Sequence, residues 1–264
     1  MISEKQLYDV FNRIGLEYDP DAKRDYDLLA KVQYAFQKTV PYENLDIIRG
    51  VPLSLDPDDL YKKIVTDRRG GYCFEINGFL GDVFRALGYE VTEYFARYLR
   101  GETDIPMRRH RVLKVGVDGS FYLCDAGIGQ SAFRLPLLIE DGAVSEQYGE
   151  IYKTEKEPFL GWVVSDFHKG EWRKFYSFTE EEQLNVDFVA ASFWCEKSPD
   201  SPFIGAEMFS IKTDTGRITL DGNVFHIFDG DNVTEKILTD DEMKKAYSDY
   251  FGLPYYEGLD LRRV

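Results

Sequence analysis

The sequence predicts an α+β protein: a helical N-terminal part, a central antiparallel sheet or barrel, and an α/β tail packed on both. Three observations carry this reading. Apolar residues recur at helical spacing as far as Gly88 and in short β-rich runs after it. Two strong hairpin turns, Asp118-Gly119 and Asp141-Gly142, punctuate the β-rich stretch. No linker rich in Pro, Gly or Ser, no internal repeat and no low-complexity segment divides the chain.

Element by element, Ser3-Glu4-Lys5-Gln6 has the pattern of a capping box, followed by Leu7, Val10, Phe11 and Ile14 at helical spacing, with Gly15 as a stop. Leu28, Leu29, Val32 and Phe36 predict a second helix ending before Pro41. Asp56-Pro57-Asp58-Asp59 combines a cap residue, a first-turn proline and two acids at the positive end of a third helix. A fourth runs from Cys73 to Leu87 and closes at Gly88. Strands are expected at 90–99, 110–117, 121–126, 159–165 and 172–178. A helix is expected after Thr179, from Glu180 to about Ala191. The tail holds short strands around Phe209, Ile218, Phe225 and Ile237, then a helix opened by Thr239-Asp240-Asp241-Glu242 and stopped by Gly252.

The 264 residues suffice for a large core, and 18 Tyr with 19 Phe exclude a disordered chain. A net charge of −15 disfavours nucleic-acid and anionic-membrane partners, which require a positive field. It also requires any anionic small molecule to find a local basic pocket. Cys73, Cys124 and Cys195 form no C-x-x-C pair, so neither a disulfide framework nor a zinc site is expected. Charged residues at the start and the lack of an 18-residue apolar run predict a cytoplasmic protein without a membrane span.

Chemistry concentrates at Arg69-Gly70-Gly71-Tyr72-Cys73-Phe74-Glu75. The glycine pair allows a tight turn that sets Cys73 at a helix start, where unpaired N–H groups favour a thiolate; a buried cysteine beside a glycine loop would look the same. A nucleophilic cysteine needs a base, and there are three histidines. His168 falls in a turn, His226 in the apolar run Val224-Phe225-His226-Ile227-Phe228, and His110 opens a strand, which leaves His110 as the candidate base.

The Asp118-Gly119 turn sets a register for testing this. Val117 then faces Ser120, Asp125 comes opposite Val112, and His110 lies two residues along the same face. Such diagonal neighbours sit about 7–8 Å apart, within reach of carboxylate and imidazole, while Cys124 faces the other way with Leu113 and Val115. Papain-like hydrolases, transglutaminase-like amidases and acyltransferases all use such a Cys, His and Asp set.

The same residues resemble one family. The stretch from Arg69 to Glu75 is similar to the nucleophile signature of the arylamine N-acetyltransferases. Pro41-Tyr42-Glu43-Asn44-Leu45 resembles their Pro-Phe-Glu-Asn-Leu element, and Asp125-Ala126-Gly127-Ile128-Gly129 their Asp-Val-Gly-Phe-Gly element. Order and spacing agree over residues 41–129, and the likeness continues more weakly through Ser198–Phe203. The resemblance implies a helical bundle (1–88) bearing the nucleophile, a β-barrel (89–190) bearing His and Asp, and an α/β lid (191–264) around a cysteine-protease-like core. It implies ping-pong acetyl transfer from acetyl-CoA to an aromatic amine or hydrazine, with no metal. In that chemistry Cys73 is the nucleophile, His110 the general base and acid, and Asp125 the orienting carboxylate.

Departures from the family pattern bear on the substrates. Tyr42 replaces a Phe and Ile128 replaces a Phe at positions beside the acceptor, implying a polar contact and a wider site unless both are packing residues. Glu196-Lys197 stands where the family has a Ser-Thr pair. Phosphates of CoA need positive or N–H-rich surface, for which the candidates are Arg68, Arg69, Arg97, Arg100, Arg108, Arg109 and Arg111, with close backbone approach at Gly127 or Gly129. The runner-up functions are an amide synthase on the same scaffold and a transglutaminase-like amidase or cysteine hydrolase. A non-catalytic binding module is a further alternative.

Overall fold

The computed structural model describes residues 2–253 and is α+β; residues 254–264, the end of the expected lid, lie outside the described residues. Helix α1 (Glu4–Arg13) starts as its cap pattern dictates: Gln6 N donates to Ser3 Oγ at 3.3 Å while Ser3 N donates to Gln6 Oε1 at 2.9 Å. Helix α2 (Tyr26–Thr39) is capped by Asp25 and followed by a two-residue strand, β1 (Tyr42–Glu43), and a short helix, α3 (Leu45–Ile48). Asp56 caps α4 (Pro57–Tyr61), which runs into a π-helical turn at Lys62–Thr66. Helix α5 (Cys73–Ala86) is the buried centre of this part, and its Phe79, Leu80, Val83 and Phe84 pack against Phe11 and Phe36. The same core takes in Leu113, Val115, Val117 and Cys124 from one face of the sheet that follows.

That sheet has eight antiparallel strands: β2 (Glu90–Tyr98), β3 (His110–Val117), β4 (Ser120–Cys124), β5 (Leu137–Leu138), β6 (Ala143–Gln147), β7 (Glu150–Glu157), β8 (Gly161–His168) and β9 (Glu171–Phe178). The order is β5-β4-β3-β2-β9-β8-β7-β6. It curls into a near-closed barrel, since Thr154 Oγ1 on β7 donates to Leu138 O at the β5 edge at 2.8 Å. The inner face carries Tyr94, Val112, Leu123, Tyr152, Val164 and Tyr176. Asp118 and Gly119 both take positive φ, and Val117 pairs with Ser120, as the register from sequence requires.

Two expectations need correction. Residues 179–184 form neither helix nor strand, and the helix in this region, α6 (Phe188–Lys197), begins only after a 3-10 turn at Asn185–Asp187. Glu180 and Glu181 are drawn sideways to Lys114 and Arg108, and Gln183 N donates to Glu93 O on β2, so this stretch follows the barrel instead of coiling. Asp141-Gly142 does turn the chain, but it joins β5 to β6, which are not sheet neighbours; the hairpin turn is Tyr148-Gly149. Strands β6 and β7 escape the sequence pattern because most of their side chains are polar and face outward, with Gln147, Tyr152 and Thr154 buried.

The tail forms β10 (Met208–Lys212), β11 (Gly216–Asp221), β12 (Val224–Asp229), β13 (Asn232–Ile237) and α7 (Asp240–Asp249). Its sheet runs β1-β10-β11-β12-β13, so the helical part donates an edge strand to the tail. Phe209, Leu220, Phe225, Tyr247 and Phe251 form the core between this sheet and α7. Among the described residues, no helix is long and apolar enough to cross a membrane.

Candidate active site

Position 73 is built from both sides of the glycine pair. A Cβ on Gly70 would sit 1.9 Å from Pro41 O, and one on Gly71 would meet Glu75, so this turn tolerates only glycine. Gly71 O accepts from Glu43 N at 2.8 Å, which ties the turn to β1. Glu75 Oε2 accepts from Tyr72 N at 3.2 Å and caps α5, placing Cys73 in its first turn. Beneath lies a buried network: Arg69 bridges Glu43 and Asp46, and Lys63 bridges Asp46 and Glu75. Removing one member would strand its partner's charge away from water.

His110 opens β3 and Asp125 follows β4, both buried, and His110 Nε2 lies 2.6 Å from Asp125 Oδ2. The other carboxylate oxygen, Oδ1, accepts from Asn77 Nδ2 at 2.8 Å and from Gly127 N at 2.9 Å. Asn77 stands one helical turn after Cys73, and its Oδ1 accepts from Ala126 N at 2.9 Å. Gln37 Nε2 donates to Asp125 O at 2.9 Å, and Gln33 Oε1 accepts from Asp125 N at 3.1 Å. A Cβ on Gly127 would sit 2.9 Å from Cys73 Cα, so glycine lets the Asp125 loop press against the start of α5. Asn77, Gln33 and Gln37 hold Asp125 in place, and none of them stood out from the sequence. The available signal was a run of amides on otherwise apolar, buried helix faces.

Burial pushes the Cys73 thiol well up, and nearby Cys195 and Asp125 add to this; the N–H groups of Phe74 and Arg111 pull the other way. The Cys73 Sγ–H donates weakly to Arg109 O at 3.8 Å.

Cys73 and His110 open on a cavity of about 420 Å³, lined also by Tyr42, Ile128, Gly129 and Phe203. All three residues expected beside the substrates thus reach it. Gly129 has φ of 71°, and a Cβ there would lie 3.5 Å from both Ser210 Oγ and the Tyr42 ring. Burial pushes the Tyr42 hydroxyl well up, so it stays a neutral donor. From the tail, Ser210, Thr219, His226 and Phe228 line the same cavity, none of them singled out for it from sequence. His226 Nε2 lies 2.9 Å from Glu235 Oε2, and His168 is exposed.

The expected arginine group does not form one phosphate surface. Arg111 is buried against Glu93, Arg69 belongs to the network under the glycine turn, and Arg108 pairs with Glu181. Arg97 donates to Pro106 O, Arg100 pairs with Asp166, Arg109 pairs with Glu102, and Arg68 O accepts from Arg13. Of these, only Arg109 lines the cavity. Among the described residues, no group of three or more His, Cys, Asp or Glu side chains is placed to hold a metal ion.

Comparison with known proteins defines the class first: a family model described as N-acetyltransferase matches residues 25–257. An arylamine N-acetyltransferase from Mycolicibacterium smegmatis is 33% identical over 80% of this chain and 78% of its own. The structure of arylamine N-acetyltransferase from M. tuberculosis matches with a TM-score of 0.86 at 32% identity, covering 94% of this chain and 92% of that one. That of the Mycobacterium marinum arylamine N-acetyltransferase in complex with CoA matches with a TM-score of 0.86 at 30% identity over the same shares, 94% and 92%. The chain belongs to the arylamine N-acetyltransferase family and is a transferase.

Proposed function

We propose that the protein acetylates arylamines and arylhydrazines from acetyl-CoA by a ping-pong route through an acetyl-Cys73 thioester. The observation that carries this reading is the chain of contacts around one cavity: Cys73 and His110 both open on it, and Asp125 holds the far ring nitrogen of His110 at 2.6 Å. With Nε2 bonded to Asp125, Nδ1 is left to exchange a proton with Cys73. The thiol is pushed up by burial, so its thiolate forms by handing the proton to His110, and Asp125 stabilises the resulting imidazolium. The thiolate attacks the acetyl carbonyl of the donor, the bond from carbonyl carbon to CoA sulfur breaks, and His110 returns the proton to the departing thiolate. An amine then attacks the acetyl-Cys73 carbonyl and gives its proton to His110; the bond to Cys73 Sγ breaks and the amide leaves.

The cavity volume of about 420 Å³ and its aromatic lining suit a flat aromatic acceptor. Ile128 beside Tyr42 widens the acceptor end, and the Tyr42 hydroxyl supplies a donor there. On this reading residues 1–88 bring the nucleophile, 89–190 the base and carboxylate, and 191–264 the cover of the site. The reactive thiol requires a reducing compartment, and we place the protein in the cytoplasm.

The test is mass spectrometry after mixing the protein with acetyl-CoA and no acceptor. One acetyl group on the Cys73 peptide, discharged by an arylamine, is the expected result. A folded protein whose Cys73 stays free would overturn the reading in favour of another acyl donor or of hydrolysis.

A further inference from the structure

Arg111 follows His110 on β3, and alternation along a strand sends the two side chains to opposite faces of the sheet. His110 reaches the cavity beside Cys73, whereas Arg111 lies against α5 and is 2% exposed. Four elements grip its guanidinium. Nε and Nη2 pair with Glu93 on β2, and Nη1 donates to Phe74 O on α5 at 3.3 Å and to Asn185 Oδ1 in the 3-10 turn at 3.0 Å. The Phe188 ring of α6 covers the fork, its centroid 4.4 Å from Cζ.

The fold around this side chain is shaped to hold it. A Cβ on Gly78 would sit 2.5 Å from Nη1, so glycine in the second turn of α5 leaves the slot through which the guanidinium meets the helix. Asn185 is itself anchored, its Nδ2 donating to Leu55 O at 2.9 Å. Leu113 and Val115, on the same face of β3, pack on α5 with apolar groups alone, so packing does not call for a charge at position 111. A buried ion pair seldom adds stability over apolar side chains of like size, but a planar fork with several acceptors fixes geometry.

The geometry it fixes is that of the reacting pair. Phe74 is the residue after Cys73 and Arg111 the residue after His110, so one side chain joins the peptide beside the nucleophile to the peptide beside the base. The Arg111 backbone closes the same ring of contacts. Its O accepts from Asn77 Nδ2 at 2.6 Å, and its N–H, with that of Phe74, is directed at the Cys73 sulfur.

We propose that Arg111 is a positioning residue for acyl transfer: it fixes the first turn of α5 against the start of β3, and so holds the Cys73 sulfur beside His110 and under the N–H groups of Phe74 and Arg111. It does not line the cavity and acts through these neighbours. This rests on the thioester route assigned above.

The test uses two variants. Arg111→Met with Glu93→Gln removes both charges together and strands neither, while Arg111→Lys keeps the charge beside Glu93 but lacks the fork that also spans to Phe74 O. Cys73 is read by single-turnover acylation with acetyl-CoA and by iodoacetamide alkylation across pH, which needs no acyl donor. His110, Asp125, Cys195, Tyr42 and Tyr72 surround the thiol and are the same in every variant. In the double variant acylation falls about 10- to 100-fold, the KM for an arylamine moves less than about twofold, and the alkylation midpoint rises by about half a pH unit or more. Arg111→Lys shows a smaller loss in the same direction. A folded double variant that acylates at the wild-type rate overturns the proposal, as does one that loses rate with its alkylation midpoint unmoved. If the double variant does not fold, the same two readings in Arg111→Lys decide. A wild type that acetyl-CoA does not acylate overturns the donor reading instead, and the alkylation profiles still judge Arg111.

Discussion

Asp125 is held by two side chains with separable duties. His110 takes one carboxylate oxygen, while Asn77 and Gly127 N take the other. Replacing Asn77 by Ala leaves Oδ1 short of a partner and frees the carboxylate to swing, so kcat falls about 10- to 100-fold with a smaller change in KM. Steady-state kinetics of Asn77→Ala and Asn77→Asp measure this. Asp125→Asn keeps the shape but fixes the wrong tautomer of His110, and a loss of about 1,000-fold or more is expected in single-turnover acylation. Cys73→Ser should fold normally and carry no acetyl group, because a serine hydroxyl is not ionised by this pair. The three central residues were legible because a nucleophile, a base and a carboxylate announce themselves by residue type, and one hairpin turn fixed the relation between two of them. Asn77 was not, because an amide on a helix has meaning only once a carboxylate sits opposite.

Secondary structure was legible where the chain enforces it locally. Ser3, Asp25, Asp56 and Thr239 start the helices they cap, and Asp118-Gly119 makes its hairpin. It was not legible where tertiary partners decide. The 180–184 stretch reads as helix yet forms none, tied to the barrel through Gln183 N and Glu93 O, and β7 is held by neighbouring strands despite its charged sequence. The motif at residues 41–45 is the plainest case of an element whose purpose needs the fold. Asn44 Nδ2 donates to Phe203 O at 2.8 Å and Ala206 O at 2.9 Å, and its Oδ1 accepts from Met208 N at 2.7 Å. Asn44→Ala forfeits these bonds in a buried place and should lower stability by about 2–4 kcal/mol, read from urea unfolding at an unchanged m-value. Gly127→Ala drives a methyl against the start of α5, so it should cost acylation rate as well as stability.

Across the whole molecule, the most pH-sensitive buried cation described is Lys212, at the junction of barrel and tail sheet. Burial lowers the Lys212 ammonium to about 8 from 10.5 in an unfolded chain. Between those values the unfolded chain binds the extra proton, so this residue's contribution to stability grows as pH rises through the window and is lost as pH falls through about 8. The effect is at most about 3 kcal/mol. Lys212→Met should abolish that rise, seen as a shrinking stability difference from wild type across the window. The interleaving of the helical part with the tail was not readable from sequence. Strand β1 belongs by position to the helices and by hydrogen bonding to the tail sheet, where Tyr42 pairs with Ser210. The bonds of Asn44 to Phe203 and beyond span up to 164 positions of the chain. During synthesis, the residues around Cys73 leave the ribosome long before the strand that lies beside β1. The nascent chain therefore carries its thiol without a finished cavity until β10 has emerged.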